Sequence, residues 1–427
     1  MRERLLSIAR QASSRTPAGR GVAEDPLCGA SAQGEPPQAV PPSRAFDLSP
    51  VPPPKQIIFN KASGRLAAAG ESIPSMKTFS FRYHTLPALF SLLFPHPDRK
   101  LSSIKTVACI RPGKLGDLFV ATPLFSALKK YGGIERLSVV CSPENEIVVR
   151  YNPFVDDCHV VNFHRIGSVA GAIGWMRRQR FDAVFDLTPG FSRTNFLMSY
   201  GAGSKTVRAG IEKGIVADCY HVHVGNRATH LADRLLEAGE LLTASSFPRT
   251  SALEIYSSAR DRTDAGAVID QSDSGEGIVA INLSSATPQR QWPFGHFAAL
   301  IKLLCSLPSV RKLVLIGVGP QTAWAATLSH LDERCIAVPS MPITAVTEVI
   351  AACRLLISTD TALIHAASAR AVPVVALYIG DAEAFSRWKP YHGLGRVIQS
   401  PPGLPVSAIA PETVFAATME LLKEIAP

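Results

Sequence analysis

The 427-residue sequence predicts an α/β protein of two Rossmann-like halves facing each other across a cleft, behind a disordered N-terminal extension. Three observations predict it. From residue 104 onward, short apolar runs alternate with segments of helical periodicity, the pattern of parallel sheets with crossover helices. That pattern occurs twice, and the two series are separated by a polar Asp-, Ser- and Gly-containing stretch at 261–276. The first 60 residues, in contrast, hold 10 of the 33 prolines, with little that could be buried.

Bulk numbers agree. The chain is long enough for two cores, and 46% hydrophobic with 19% charged residues excludes a largely disordered protein. No run of about 18 uncharged apolar residues exists, so no spanning helix is expected. The formal charge is +9, but +6 of it falls in residues 1–103. The remainder is only mildly basic and lacks interleaved aromatics, which argues against a nucleic-acid partner and suits an anionic small ligand or membrane face. None of the 8 cysteines forms a CxxC pair, so reduced buried thiols of a cytoplasmic protein are expected rather than zinc or disulfides.

In chain order, MRERLLSIAR is too short and charged for a signal peptide. Residues 1–75 read as a disordered Pro-rich extension, and Met76-Lys77 offers an alternative start that would make it a product of start choice. Residues 76–103 form an apolar lead-in, with the run 86–95 suited to packing on the core or dipping into a membrane surface. The first Rossmann-like domain spans 104–260, with strands at 107–110, 137–141 and 183–187 and one helix over 118–130. The second spans 277–410, with strands at 277–283, 312–317, 355–357 and 372–377. Its helix at 294–305 starts after Trp292-Pro293, and a further helix carries Ile343, Val346, Val349, Ile350 and Cys353 on one face. A closing helix is expected within 411–427.

Three strand-to-helix junctions could carry chemistry. In RPGKLGD (111–117), glycines let the backbone turn and expose N–H groups, and Asp117 either caps the helix or takes a proton from a substrate hydroxyl. In NLSSATPQRQWP (282–293), hydroxyls and a guanidinium suit a diphosphate, although a polar turn with a solvated arginine would look the same. In STDTALIH (358–365), Asp360 or Thr359 could cap a helix, Thr361 and nearby N–H groups could hold phosphate, and His365 could face the ligand or sit in the core. Arg193, after the strand at 183–187, and the Gly317-Val-Gly319 turn are weaker candidates. Neither GxGxxG nor a P-loop is present, so a nicotinamide or P-loop assignment has no motif. No DxD pair ends a strand, so neither a metal-bound diphosphate nor any cofactor is indicated.

IRPGKLGDLFVATPLFSALKK (110–130) resembles the first-strand signature of glycosyltransferase family 9, the ADP-heptose:lipopolysaccharide heptosyltransferases. NLSSATPQRQWPFGHFAALIKLL (282–304) and LLISTDTALIHAASARAVPVVALY (355–378) resemble its donor-site signatures. The resemblance implies a GT-B fold and inverting, metal-independent transfer of heptose from ADP-heptose to a lipopolysaccharide-core hydroxyl. It implies Asp117 as catalytic base, and donor contacts from Ser285, Arg290, Asp360, Thr361 and His365. Lys114 and Arg193 would lie on the acceptor side. The partners implied are a nucleotide-sugar and a lipid-linked saccharide, met in the cytoplasm or at the inner face of the inner membrane. Three departures stand out: the family's glycine after Asp-Ser/Thr is Ala362 here, its usual lysine is Arg290, and after Leu377, where the family often reads FG, this chain has Tyr378-Ile-Gly380. Rival readings are another sugar donor, a capsule or protein acceptor, or a non-catalytic GT-B binding protein. A nucleotide-dependent oxidoreductase is disfavoured by the missing glycine fingerprint.

Overall fold

The computed structural model describes residues 103–425 apart from 228, 250–251 and 270–275. The extension expected over 1–75 and all but the last residue of the lead-in at 76–103 lie outside the described residues.

The N-terminal lobe begins with β1 (Thr106–Arg111), α1 (Leu115–Phe119), α2 (Thr122–Lys130) and β2 (Arg136–Cys141). β3 (Asp157–Val160), α3 (Ile166–Gln179), β4 (Ala183–Asp186) and α4 (Arg193–Gly201) follow. β5 (Val207–Ile211), β6 (Val222–Val224) and α5 (Leu231–Thr243) complete it. After α6 (Ala259–Gly266), the second lobe opens with β7 (Ile278–Asn282), α7 (Phe294–Cys305), β8 (Lys312–Ile316) and α8 (Gln321–Leu328). It continues through β9 (Cys335–Ala337), α9 (Ile343–Ala351), β10 (Leu355–Thr359) and α10 (Ala362–Ala369). It closes with β11 (Val374–Tyr378), α11 (Ala382–Trp388), β12 (Gly395–Gln399) and α12 (Pro411–Glu424).

Each lobe carries a six-stranded sheet, ordered β3-β2-β1-β4-β5-β6 in the first and β12-β11-β10-β7-β8-β9 in the second. Counted from its own first strand, each sheet has the doubly wound order 3-2-1-4-5-6, and all pairings are parallel. The central strands are buried on both faces, which is why they read as unbroken apolar runs. Strand order reverses between β1 and β4, and again between β7 and β10, so each lobe has one crevice at the carboxyl ends of those strands. One buried apolar cluster runs through both lobes, from Val107 and Leu118 to Leu363 and Ala376.

Two details differ from the sequence expectation. The single helix expected over 118–130 is two, broken at Val120–Ala121. Pro123 has no N–H to continue the ladder, and the Thr122 hydroxyl donates to the Phe119 carbonyl at 2.7 Å instead. The polar stretch at 261–276 is not all linker, because its start belongs to α6. There Ser258 Oγ accepts from the Asp261 amide at 3.1 Å, and the Ser258 amide donates to Asp261 Oδ2 at 2.8 Å. This reciprocal cap starts a helix whose apolar residues pack on α9.

Candidate active site

A cleft of about 650 Å³, a size suited to a nucleotide-like ligand, lies where the two crevices meet. Its N-terminal wall is the loop after β1 and the first turn of α1, with Lys114, Gly116 and Asp117. Its C-terminal wall carries Ser285 and Arg290 from the loop after β7, and Asp360, Thr361 and His365 from the junction of β10 and α10. Of the site residues that the family resemblance implies, all but Arg193 line this one cavity, and of the Gly317-Val-Gly319 turn only Val318 does.

Asp117 is the third residue of α1, not its N-cap. Its Oδ2 accepts from the Lys114 amide at 3.3 Å, so it braces the helix start from within. Its side chain is 28% exposed, which leaves the carboxylate open to the cleft. Gly113 makes this possible. It sits at φ +113°, and a Cβ there would lie 3.0 Å from Asp117 Oδ2. Any other residue would be strained and would press on the carboxylate.

On the opposite wall, Asn282 ends β7 buried, and its Nδ2 lies 2.9 Å from Ser358 Oγ, 3.0 Å from Thr361 Oγ1 and 3.2 Å from the Ser284 carbonyl. It ties the β7 and β10 loops together. Thr361 is the N-cap of α10, its hydroxyl accepting from the Leu363 amide at 3.3 Å. Ser285 Oγ lies 2.9 Å from Gln291 Oε1 and 3.1 Å from the Thr287 carbonyl. Arg290 Nη1 pairs with Asp360 Oδ2 at 3.0 Å. Burial raises the Asp360 pKa, while the Arg290 and Lys114 charges pull the other way. Lys114, on the N-terminal wall, therefore acts electrostatically on a carboxylate of the C-terminal wall.

His365 is buried, and burial pushes its pKa down to about 4, so the imidazole is neutral at neutral pH. Among the described residues its Nδ1 finds no hydrogen-bond partner. Val318, Ile343, Leu363 and Trp388 give the cleft an apolar side. Ala362 is the first residue of α10 and does not take a positive φ, so the backbone here does not require a glycine.

Arg193 begins α4 exposed and does not line the cleft. Sequence reasoning missed Asn282 as an organiser, although a polar residue closing an apolar strand was a readable signal. It also missed Trp388, the last residue of α11, which lines the cleft from the segment after β11.

A sequence profile described as Glycosyltransferase family 9 (heptosyltransferase) matches residues 175–405, more than half of the chain. The chain belongs to glycosyltransferase family 9. Solved structures agree on the fold. This family 9 chain is similar to a glycosyl transferase family 9 protein from Veillonella parvula, with TM-score 0.65, 19% identity, and coverage of 77% of this chain and 99% of that one. It is similar to E. coli ADP-heptose lps heptosyltransferase II, with TM-score 0.61, 18% identity, and coverage of 75% and 99%. It is also similar to E. coli heptosyltransferase WaaC with ADP, with TM-score 0.59, 17% identity, and coverage of 75% and 98%. These matches establish the GT-B architecture of the family 9 chain. No curated protein sequence matches it.

Proposed function

We propose that this family 9 glycosyltransferase moves heptose from ADP-heptose to an acceptor hydroxyl of the lipopolysaccharide core, with inversion at the anomeric carbon. One observation carries the reading: an accessible carboxylate, Asp117, and a cradle for an anionic leaving group line opposite walls of one cleft.

Asp117 takes the proton of the acceptor hydroxyl as that oxygen attacks the anomeric carbon. Inversion needs one base on the face opposite the leaving group, so a single carboxylate serves. The departing diphosphate gains charge, and Arg290, the Ser285 hydroxyl and the N–H groups that start α10, all at the cleft, would receive it. Arg290 then exchanges its bond to Asp360 for, or shares it with, a phosphate oxygen. Neutral His365 adds a polar contact without adding charge. The adenosine would use the apolar side at Val318, Ile343 and Trp388.

A lipid-linked acceptor would be met at the inner face of the membrane, with Arg193 at the outer edge of the acceptor side. Among the described residues no helix is long and apolar enough to cross a membrane. The test is a mass-spectrometric transfer assay with ADP-heptose and truncated core acceptors. Asp117→Asn should lose turnover by about 10²-fold or more while binding ADP as the parent does. Survival of transfer in that variant would remove Asp117 from the role, and activity with only a different nucleotide-sugar would replace the donor.

A further inference from the structure

We propose that Arg111 is a positioning residue for the Asp117 carboxylate, and that the buried Asp186–Lys213 pair behind it keeps Arg111 available for that contact. The inference rests on Asp117 being the base.

Arg111 ends β1 and is 2% exposed. It grips Asp117 at two points. Nη2 lies 3.4 Å from Oδ1, and Nε donates to the Asp117 main-chain oxygen at 3.3 Å. The Lys114 amide holds Oδ2. Each carboxylate oxygen thus has one direction engaged by the protein, which leaves the others for an acceptor hydroxyl.

A buried guanidinium needs compensation, and burial does push the Arg111 pKa down against the fields of Asp117 and Asp186. Asp186 ends β4, and its neighbour across the sheet is Ile110, next to Arg111. Left to itself it would draw the guanidinium away from Asp117. It cannot, because its acceptor directions are taken. Oδ1 accepts from the Thr188 amide at 3.1 Å and from Asn195 Nδ2 at 2.9 Å. Oδ2 accepts from Lys213 Nζ at 2.5 Å and from the Tyr220 hydroxyl at 3.3 Å. Lys213 is fully buried and is held further by the Thr188 and Gly190 carbonyls at 2.7 and 3.2 Å. The series Asp117, Arg111, Asp186, Lys213 alternates in sign and sums to zero. Other charged groups nearby are engaged elsewhere: Glu146, on the turn against α1, pairs with Arg150, and Lys114 faces the field of Asp360.

The experiment uses the full chain with Arg111→Lys and Arg111→Gln, reading kcat for heptosyl transfer beside the Kd for ADP. Lysine keeps the charge but cannot make both contacts, so kcat should fall about 3- to 10-fold. Glutamine loses the charge, and kcat should fall about 10²-fold, the scale of a misplaced catalytic group. ADP affinity should stay within about threefold for both, since Arg111 is not part of the diphosphate cradle. Equal kcat in the two variants, or a loss confined to KM, overturns the proposal. Should Arg111→Gln fail to fold, Arg111→Lys decides alone, and a parental kcat overturns it. The two readings fail separately. Turnover in Asp117→Asn removes the base assignment, whereas an inactive Asp117→Asn beside a fully active Arg111→Gln removes only the role of Arg111.

Discussion

Arg290 and Asp360 form an ion pair on the C-terminal wall of the cleft, Nη1 to Oδ2 at 3.0 Å, although they lie on the loops after two different strands. The pair pre-orients the guanidinium, and the carboxylate offsets part of the charge that a diphosphate would seek. Arg290→Met should weaken ADP binding about 10- to 100-fold, the loss expected for a charge-assisted bond. Asp360→Asn in the same chain should not add its full single-variant effect. A double-mutant cycle read by calorimetry should give a coupling of about 1 kcal/mol or more. Additive effects would mean that the pair does not act as a unit in the bound state.

The tight fit of Gly116 against α10 at the cleft predicts a steric series. A Cβ at Gly116 would lie 3.3 Å from His365 Cδ2 and 3.6 Å from the Ala362 Cα. Gly116→Ala asks the imidazole to move a few tenths of an ångström and should leave kcat within about threefold. Gly116→Val has no room for its branches, and overpacking should cost about 1–3 kcal/mol of stability with a clear loss of kcat. Urea denaturation and turnover together check this, and equal behaviour of the two variants would mean that the lobes are held further apart in solution.

Asn282 predicts an order of severity. Asn282→Ala leaves Ser358 and Thr361 without their shared donor, which should cost about 1–3 kcal/mol. Asn282→Asp preserves the shape but is acceptor-only when ionised, so it would set a buried charge against the Ser284 carbonyl and force the Ser358 and Thr361 hydroxyls to give up their present bonds to donate to it. It should be the worse variant in both denaturation midpoint and ADP affinity. An aspartate variant as stable as the alanine variant would show that the amide donor matters little.

The strands that are buried on both faces were legible because burial leaves a continuous apolar run. Val107–Ile110 and Leu313–Ile316 are of this kind. β3 was not legible, because an edge strand reading Asp157-Cys-His-Val160 is largely exposed and carries no apolar run. β5 was hidden by Arg208, a buried arginine that stacks on the Tyr200 ring at 4.2 Å. The site was legible wherever a loop's own sequence fixes it, as with Asp117 and Thr361. It was not legible where partners meet only after folding, as with Asp186 against Lys213, or where Trp388 arrives from another segment. Arg193 was singled out by its position after a strand, but the turn of α4 carries it to the exposed surface rather than into the cavity.

His230 links the lobes and predicts an acid-sensitive stability. Its Nδ1 accepts from the Ala232 amide at 3.1 Å, which requires that nitrogen to be unprotonated, so the ring proton sits on Nε2 and donates to the Lys389 carbonyl at 3.1 Å. The ring also stacks on Tyr391 at 4.5 Å. Burial, with His365 nearby, pushes its pKa down to about 3. The folded state therefore refuses a proton that the unfolded chain accepts below about pH 6.5. The sign follows: His230 makes stability fall as pH drops from about 6.5 toward 3 and has no effect on the slope above that window. His230→Gln keeps a donor for Lys389 but does not titrate. Between pH 6 and 4.5 its stability should fall less steeply than the parent's, by up to about 1.4 kcal/mol per pH unit. Urea denaturation of both chains at pH 7.5, 6.0 and 4.5 measures the difference. Parallel curves would mean that His230 is protonated in the folded protein, which its bond from the Ala232 amide does not allow.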